Sequence, residues 1–382
     1  MDIQRRFESL NDQHLNGDLS RRRFLCTIGV MAAACGVAGL GFCGLASAAR
    51  SDRAIRFDGF GGFSQSAFDK FVLQPFARQF SVSVTQGSYT NPDQFLAQIQ
   101  AEGVHNYNVF WAAQELSPVK VVRLGLAEPL DEAKIPRLRD LQTSAVEANR
   151  KQGSGRLISV PYSMSGGAIA YNTQAISAEE IEKRGFGILV DRKLNGSISG
   201  FDNWQYRIYY AALQAGQDPN NIQDMGAVWE KISESKSVAL KYYSSGAEQT
   251  GLLASHEAIV ADAWFVSIHN LQKRGEPIGY WPLEGSYTQY GSLVALKGTP
   301  MDLFYEMVDV LLRPEVLFPL ASATGNLPLL DPHKHPFPKD IADIPGYLPP
   351  ESTLQYRRFD PVYWDKNSNA WSRAYERVLS SS

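Results

Sequence analysis

Residues 155–173 read GRLISVPYSMSGGAIAYNT, and the organisation of the rest of the chain follows from them. An apolar run typical of a strand, residues 157–160, stops at Pro161, whose missing N–H interrupts a sheet. Glycines at positions 166 and 167 permit unusual dihedral angles, and a second extended run follows at residues 168–171. The pattern fits either a strand that crosses between two lobes or an ordinary β-hairpin within one domain.

Length and composition indicate a globular protein with two domains. A chain of 382 residues is too long for one compact core of ordinary size. Its 44% apolar and 20% charged residues are typical of folded proteins. A formal net charge of −3 provides no basic surface for nucleic acid, so we expect no nucleic-acid partner.

The N-terminal segment carries an export signal. Residues 20–25, SRRRFL, form a twin-arginine motif, and a glycine-rich apolar run over residues 26–45 follows it. The small residues 46–48, ASA, then form a cleavage site. We therefore predict that residues 1–48 are a twin-arginine signal peptide, that the twin-arginine translocase is the export partner, and that the mature protein is periplasmic.

Two alternatives remain for this segment. It could stay uncleaved as a membrane anchor. A lipoprotein site at Cys35 is less favoured, because Ala32 stands where leucine is preferred. Cys26, Cys35 and Cys43 all lie within the segment, so the cleaved protein would have no disulfide and no thiol chemistry.

Strand-like and helix-like patterns alternate before the crossing. A strand over residues 54–60 precedes a helix over residues 66–80, with Ser64 as its N-cap, and a strand over residues 81–85 completes a βαβ unit. This alternation predicts a doubly wound α/β sheet.

A second α/β unit follows the crossing and has apolar residues for its own core, which favours the crossing over the hairpin. Asp202 is suited to cap a helix that runs to about residue 215. A strand at residues 292–296 is expected to return to the first lobe, and a last helix is expected at about residues 371–379. The expected domains are residues 1–48 as signal peptide, residues 54–160 with 285–325 as lobe 1, residues 170–280 as lobe 2, and residues 326–382 as a proline-rich C-terminal segment and helix that pack on the lobes.

The sequence lacks the motifs of common enzyme and metal sites. No G-x-S-x-G nucleophile elbow occurs. His256 lacks the second histidine of a zincin, because Val260 stands in its place. His333 and His335 lie in a proline-rich loop without nearby carboxylates, which favours a solvated surface over a metal site. We therefore predict no catalytic residue, no metal and no cofactor.

Aromatic residues and isolated carboxylates recur where strands are predicted to end, and ligands of doubly wound sheets bind at such ends. Aromatic faces and carboxylates together suit an organic cation. Structural roles are the alternative, with Asp202 as a helix cap and Glu284 as a turn residue. The predicted ligand-binding residues are Phe60, Gly61, Gly62, Trp111, Gln114, Tyr162, Ser163, Met164, Asp202, Asp262, Trp264, Glu284, Tyr287 and Tyr290.

Five short segments occur in an order that resembles the periplasmic solute-binding proteins of ABC importers, nearest the polyamine (spermidine/putrescine)-binding branch. The resemblance implies a two-lobe, type II-like periplasmic-binding-protein fold that closes on a solute and delivers it to an ABC permease in the inner membrane. We also expect a monomer. The segments are residues 125–130 (GLAEPL), 160–173 (VPY to YNT), 261–264 (ADAW), 282–285 (PLEG) and 312–315 (LRPE).

The chain departs from the polyamine-binding pattern at positions that the resemblance implies for ligand binding. Polyamine binders carry a tryptophan and an aspartate where this chain has Gln289 and Gly291, and a tryptophan where it has Met164. These departures argue against a long diamine or triamine and leave a shorter or singly charged cation. The alternatives are a receptor for a neutral or anionic solute, a ligand-sensing subunit and, less favoured, an exported enzyme.

Overall fold

The computed structural model describes residues 53–89, 91–112, 116–282, 284–349, 352 and 355–380. The predicted signal peptide lies outside the described residues. The strands are β1 (Ala54–Gly59), β2 (Ser83–Ser88), β3 (Val109–Ala112), β4 (Ser159–Asn172), β5 (Ile198–Phe201), β6 (Ala239–Tyr243), β7 (Val260–Trp264), β8 (Ile278–Trp281), β9 (Tyr287–Ala295), β10 (Leu327–Pro328) and β11 (Arg357–Arg358).

Helices cover both sides of these strands. The α-helices are α1 (Gly62–Phe68), α2 (Gln74–Phe80), α3 (Pro92–Glu102), α4 (Leu116–Arg123), α5 (Thr143–Gln152), α6 (Ala178–Arg184), α7 (Trp204–Gln214), α8 (Met225–Val238), α9 (Gly246–Ala254), α10 (Phe265–Lys273), α11 (Met301–Leu311), α12 (Pro314–Thr324), α13 (Lys339–Ala342) and α14 (Pro361–Ser380). A π-helical turn, Asp69–Leu73, joins α1 to α2. Short 3-10 turns lie at Val104–Asn106, Glu132–Lys134, Pro136–Asp140, Gly185–Val190 and Arg192–Leu194.

Strand β4 is one continuous strand of 14 residues that belongs to both halves of the sheet. From Ser159 to Gly166 it pairs with β9, and from Gly167 to Tyr171 it pairs with β7. A register shift just after Pro161 accommodates the missing N–H without ending the strand. The predicted crossing is therefore confirmed, and the hairpin alternative is wrong.

The sheet runs in the order β2-β1-β3-β9-β4-β7-β5-β6. On one side of β4, β1 pairs in parallel with β2 and β3. On the other side, β5 pairs in parallel with β6 and β7. The central strands β9 and β4 are antiparallel to each other, β9 is antiparallel to β3, and β4 is antiparallel to β7. The mixed α/β architecture with two doubly wound halves is as predicted, while the domain boundaries stay predictions.

Three predicted helix starts are wrong, two by one to three residues and the last by about ten. The N-cap of α1 is Gly61 rather than Ser64. The N-cap of α7 is Asn203 rather than Asp202, because the Asn203 side chain accepts a hydrogen bond from the backbone of Gln205. The last helix begins at Pro361, well before residue 371, since Asp360 accepts hydrogen bonds from the first free N–H groups of α14.

Two main apolar cores lie on the two sides of β4. One includes Phe57, Phe76 and Phe304, and the other includes Tyr209 and Trp364. Helix α14 packs on α7 and α8, and it also contacts α4 through an ion pair between Arg123 and Asp365 at 2.7 Å. Within the described ranges, no helix is long and apolar enough to cross a membrane.

Candidate functional site

A cavity of about 280 Å³ lies where the two halves of β4 meet. Ligand pockets typically range from about 300 to 1,000 Å³, so this volume suits a small molecule. The residues that line it are Phe60, Ser165, Gly166, Phe201, Tyr206, Ser244, Trp264, Val266, Gln289 and Asn326.

The strand topology explains why these residues meet. Phe60 directly follows β1, Phe201 ends β5, and Trp264 ends β7. The carboxyl ends of parallel strands form the usual ligand crevice of such sheets. Gly166, in the middle of β4, permits the close approach of β9, because a Cβ there would stand 2.6 Å from the backbone oxygen of Tyr287.

Aromatic side chains form the walls of the cavity, and they pack against other aromatic rings. The Trp264 ring meets Phe201 edge-on at 4.8 Å between centroids, and Tyr206 packs on the same Phe201 ring at 5.2 Å. Phe60 contacts the ring of Trp111 edge-on at 5.7 Å. Such rings offer apolar surface and attract cations through their faces.

The polar groups of the cavity are uncharged. Gln289 accepts a hydrogen bond from the Tyr206 hydroxyl at 3.1 Å. Ser165, Ser244 and Asn326 supply further hydroxyl and amide groups. Among the described residues, none that lines the cavity carries a charge. The site therefore offers stacking and neutral hydrogen bonds rather than ion pairing.

Only some of the predicted aromatic residues line this cavity. Phe60 and Trp264 do. Trp111, Tyr162 and Ser163 border a second space of about 10 Å³, hereafter the annex, which shares Asn326 with the cavity. Burial raises the pKa of Tyr162 well above its ordinary value, so its hydroxyl is protonated at neutral pH.

The other predicted polar and small residues lie elsewhere. Gly61 and Gly62 border an open groove beside β2. Met164 and Tyr290 border two further depressions, and the guanidinium of Arg358 lies 4.2 Å from the centre of the Tyr290 ring. Gln114 falls outside the described residues.

The predicted carboxylate Asp262 is enclosed by protein groups. Its side chain is 3% exposed and pairs with Arg207, whose side chain is 5% exposed. It also accepts hydrogen bonds from the backbone of Phe201 at 2.9 Å and from the Tyr243 hydroxyl at 3.0 Å. Its charge is therefore balanced by the protein itself.

The remaining predicted residues also have protein partners. Asp202 is exposed and accepts a hydrogen bond from Tyr375 of α14 at 3.1 Å. Glu284 is exposed and accepts one from the backbone of Gln355 at 2.9 Å. Tyr287 is 2% exposed within the second core. None of the three lines the cavity, and their roles as ligand contacts stay predictions.

Sequence reasoning missed most of the lining. Phe201 sits next to the predicted Asp202, and Gln289 occupies a position that the resemblance singles out. The sequence therefore contained a signal for Phe201 and Gln289 as lining residues. Asn326 follows α12 and reaches the cavity from a distant part of the chain, and no local pattern marks it.

The described part of the chain also contains no group of three His, Cys, Asp or Glu side chains that could hold a metal ion. The site is thus a small aromatic crevice with neutral polar groups at the junction of two α/β halves, an arrangement suited to binding a solute.

Comparison with known families agrees with this arrangement. Residues 72–334 match the bacterial extracellular solute-binding protein family, and the chain belongs to that family. No curated protein sequence matches the chain.

Many solved structures are similar to the chain in fold. The chain is similar to the spermidine/putrescine ABC transporter substrate-binding protein PotD from Streptococcus pneumoniae, with 17% identity, a TM-score of 0.69, and coverage of 86% of this chain and 100% of that one. It is also similar to the Atu4243–GABA receptor, with 22% identity, a TM-score of 0.72 and coverage of 86% and 98%. A third is MotA from A. tumefaciens B6 in complex with glucopine, with 19% identity, a TM-score of 0.67 and coverage of 85% and 99%. These likenesses show the two-lobe periplasmic-binding-protein fold.

Proposed function

We propose that this protein is the solute receptor of an ABC importer, which captures a small organic solute in the cavity at β4 and delivers it to a permease in the inner membrane. Membership of the extracellular solute-binding family supports the receptor role. Similar solved structures include proteins of ABC transporters, which supports the permease as partner.

The solute that fits best is a singly charged organic cation, with a neutral solute of similar size as the alternative. The observation that carries this proposal is the cavity itself, whose described lining combines the rings of Phe60, Phe201 and Trp264 with neutral polar groups. Aromatic faces stabilise a cation without a counter-charge. An anion would be desolvated there without a cationic partner.

A polyamine fits this lining less well. Each additional ammonium group needs a carboxylate partner when it is removed from water. Asp262 is already paired with Arg207, and Asp202 lies outside the lining. A solute with one ammonium group has no additional ammonium group that needs a carboxylate partner.

Thermal stability provides the test of the ligand class. A ligand at 100 times its Kd adds about 2.7 kcal/mol to the free energy of unfolding. The purified protein should be stabilised by butan-1-amine or choline more than by butane-1,4-diamine, and not by butyrate. Stabilisation by butyrate alone, or by the diamine far above both monoamines, would contradict the proposal.

Transport and closure need separate measurements. Deletion of the gene should abolish uptake of the radiolabelled solute found by the thermal screen, and a sensor role would leave uptake intact. Closure of the two lobes on the solute should reduce the radius of gyration in small-angle X-ray scattering. An unchanged radius at saturation would instead indicate a rigid pocket.

A further inference from the structure

The annex beside the main cavity has room for a single atom the size of a water oxygen. Its volume is about 10 Å³, close to the minimum that holds one water molecule. Trp111, Tyr162, Ser163 and Thr324 contribute to its walls, and Asn326 lines both the annex and the main cavity. The two spaces are therefore neighbours, with Asn326 common to both linings.

One wall of the annex carries a buried donor with no acceptor. Trp111 is 6% exposed, and its indole Nε1 is buried without a hydrogen-bond partner among the described residues. Buried polar groups without partners are rare in folded proteins. An indole N–H can only donate, so what is missing is an acceptor.

The ring of Trp111 is fixed, so the donor cannot turn elsewhere. Phe68 stacks on it with a centroid distance of 5.8 Å, and Phe60 meets it edge-on. The Tyr89 hydroxyl donates to the backbone oxygen of Trp111 and holds the chain at this point. The N–H is therefore preorganised.

A second polar group lies close to the first. A Cβ placed on Gly291 would stand 2.4 Å from Ser163 Oγ and 3.6 Å from Trp111 Nε1. Because Gly291 has no side chain, the space beside the Ser163 hydroxyl and the Trp111 indole N–H stays open. Both groups belong to residues that line the annex. Asn326 adds an amide that belongs to the linings of both the annex and the main cavity.

We propose that the annex binds one uncharged acceptor oxygen of the solute, a hydroxyl, carbonyl or carboxamide oxygen, which accepts a hydrogen bond from Trp111 Nε1. This inference rests on the proposed function and deepens it. The solute is then a small molecule with a cationic or apolar part in the main cavity against the rings of Phe201 and Trp264, and an uncharged oxygen in the annex. A carboxylate fits poorly, because the annex holds one oxygen and no described residue in its walls is charged.

The test compares two amines that differ by one hydroxyl group, 4-aminobutan-1-ol and butan-1-amine, by calorimetry on the purified protein. The parent should bind the amino alcohol at least tenfold more tightly. Trp111→Phe keeps an aromatic ring and removes the N–H, so it should reduce this preference, measured as the ratio of the two affinities, to less than threefold. Trp229→Phe, in α8 and outside both spaces, should keep the full preference.

Three outcomes would overturn the inference. Equal affinity of the parent for the two amines would mean that the annex holds only a resident water, and the proposed function would still stand. An undiminished preference in Trp111→Phe would assign the selectivity to another group. If the parent binds no amine or alcohol at all, both proposals fall.

A measurement on the unaltered protein covers the case in which Trp111→Phe does not fold. The indole ¹⁵N–¹H signal of Trp111 should move downfield when 4-aminobutan-1-ol is added and stay in place with butan-1-amine at equal saturation. Equal movement with both amines would contradict the proposed hydrogen bond.

Discussion

The guanidinium of Arg207 and the carboxylate of Asp262 form an ion pair inside the protein, with side chains only 5% and 3% exposed. The pair joins α7 to β7, and the same carboxylate accepts a hydrogen bond from Phe201 at the end of β5. Phe201 lines the cavity, and so does Trp264, which lies two positions after Asp262 in β7. The acid of the A-D-A-W segment therefore supports the aromatic wall.

Asp262→Asn is expected to destabilise the protein strongly. Removal of one partner leaves the other charge buried without compensation, which costs about 3–5 kcal/mol. Urea denaturation should show a loss of that size in the free energy of unfolding. Asp218→Asn is the matched control, because its ion pair with Arg357 is half exposed and should contribute less than about 1 kcal/mol. A stable Asp262→Asn protein with weakened solute binding would instead assign Asp262 to the ligand.

Trp264→Ala is expected to weaken solute binding at least tenfold, which equals about 1.4 kcal/mol, because it removes a wall of the cavity. Asp202→Asn should leave the affinity within twofold, since Asp202 is exposed and bonded to Tyr375. Calorimetry with butan-1-amine measures both variants. A tenfold loss in Asp202→Asn with an unchanged melting temperature would support the predicted role of Asp202 as a ligand contact.

Stability is expected to fall in mild acid because of His269. Its Nε2 is buried without a partner among the described residues, and burial together with nearby Lys273 lowers the pKa of His269 below its ordinary value of 6.5. The unfolded chain therefore binds the proton more readily. The neutral form of buried His269 therefore contributes its full stabilisation above about pH 6.5. That stabilisation is lost as the pH falls towards the pKa of His269 in the folded state.

Melting temperatures measured from pH 8 to pH 5 test this expectation. His269→Phe removes the titrating group and should flatten the decline below pH 6.5. His256→Phe is the control, because His256 is partly exposed at the surface and should leave the decline in place. Identical pH profiles for the parent and His269→Phe would assign the acid sensitivity to other groups.

The fold could be predicted from the sequence because its main signals are local. The apolar runs on both sides of Pro161 mark the two halves of β4, and the glycines between them mark the crossing. Helix caps were less predictable, since Asp202 and Asn203 are neighbours with equally suitable side chains and only the backbone geometry selects Asn203.

The site was predicted less well because it is assembled from distant segments. Trp264 and Phe60 stand at strand ends that a pattern reveals, but Asn326 reaches the cavity from the region after α12. The partner of Asp262 is Arg207, 55 positions earlier in the chain. No local sequence pattern distinguishes a carboxylate that binds a ligand from one that forms an ion pair with a distant arginine.

Export is expected to depend on Arg21 and Arg22, which lie outside the described residues. Lysine keeps the positive charge but lacks the planar guanidinium fork that a receptor for paired arginines can engage. Replacing both by lysine should therefore leave the precursor in the cytoplasm, as should loss of the twin-arginine translocase. The same change at Arg5 and Arg6, a second arginine pair in the same segment, should leave export intact. Immunoblots of periplasmic and cytoplasmic fractions measure the distribution, and mature protein in the periplasm of the Arg21→Lys, Arg22→Lys strain would refute the twin-arginine assignment.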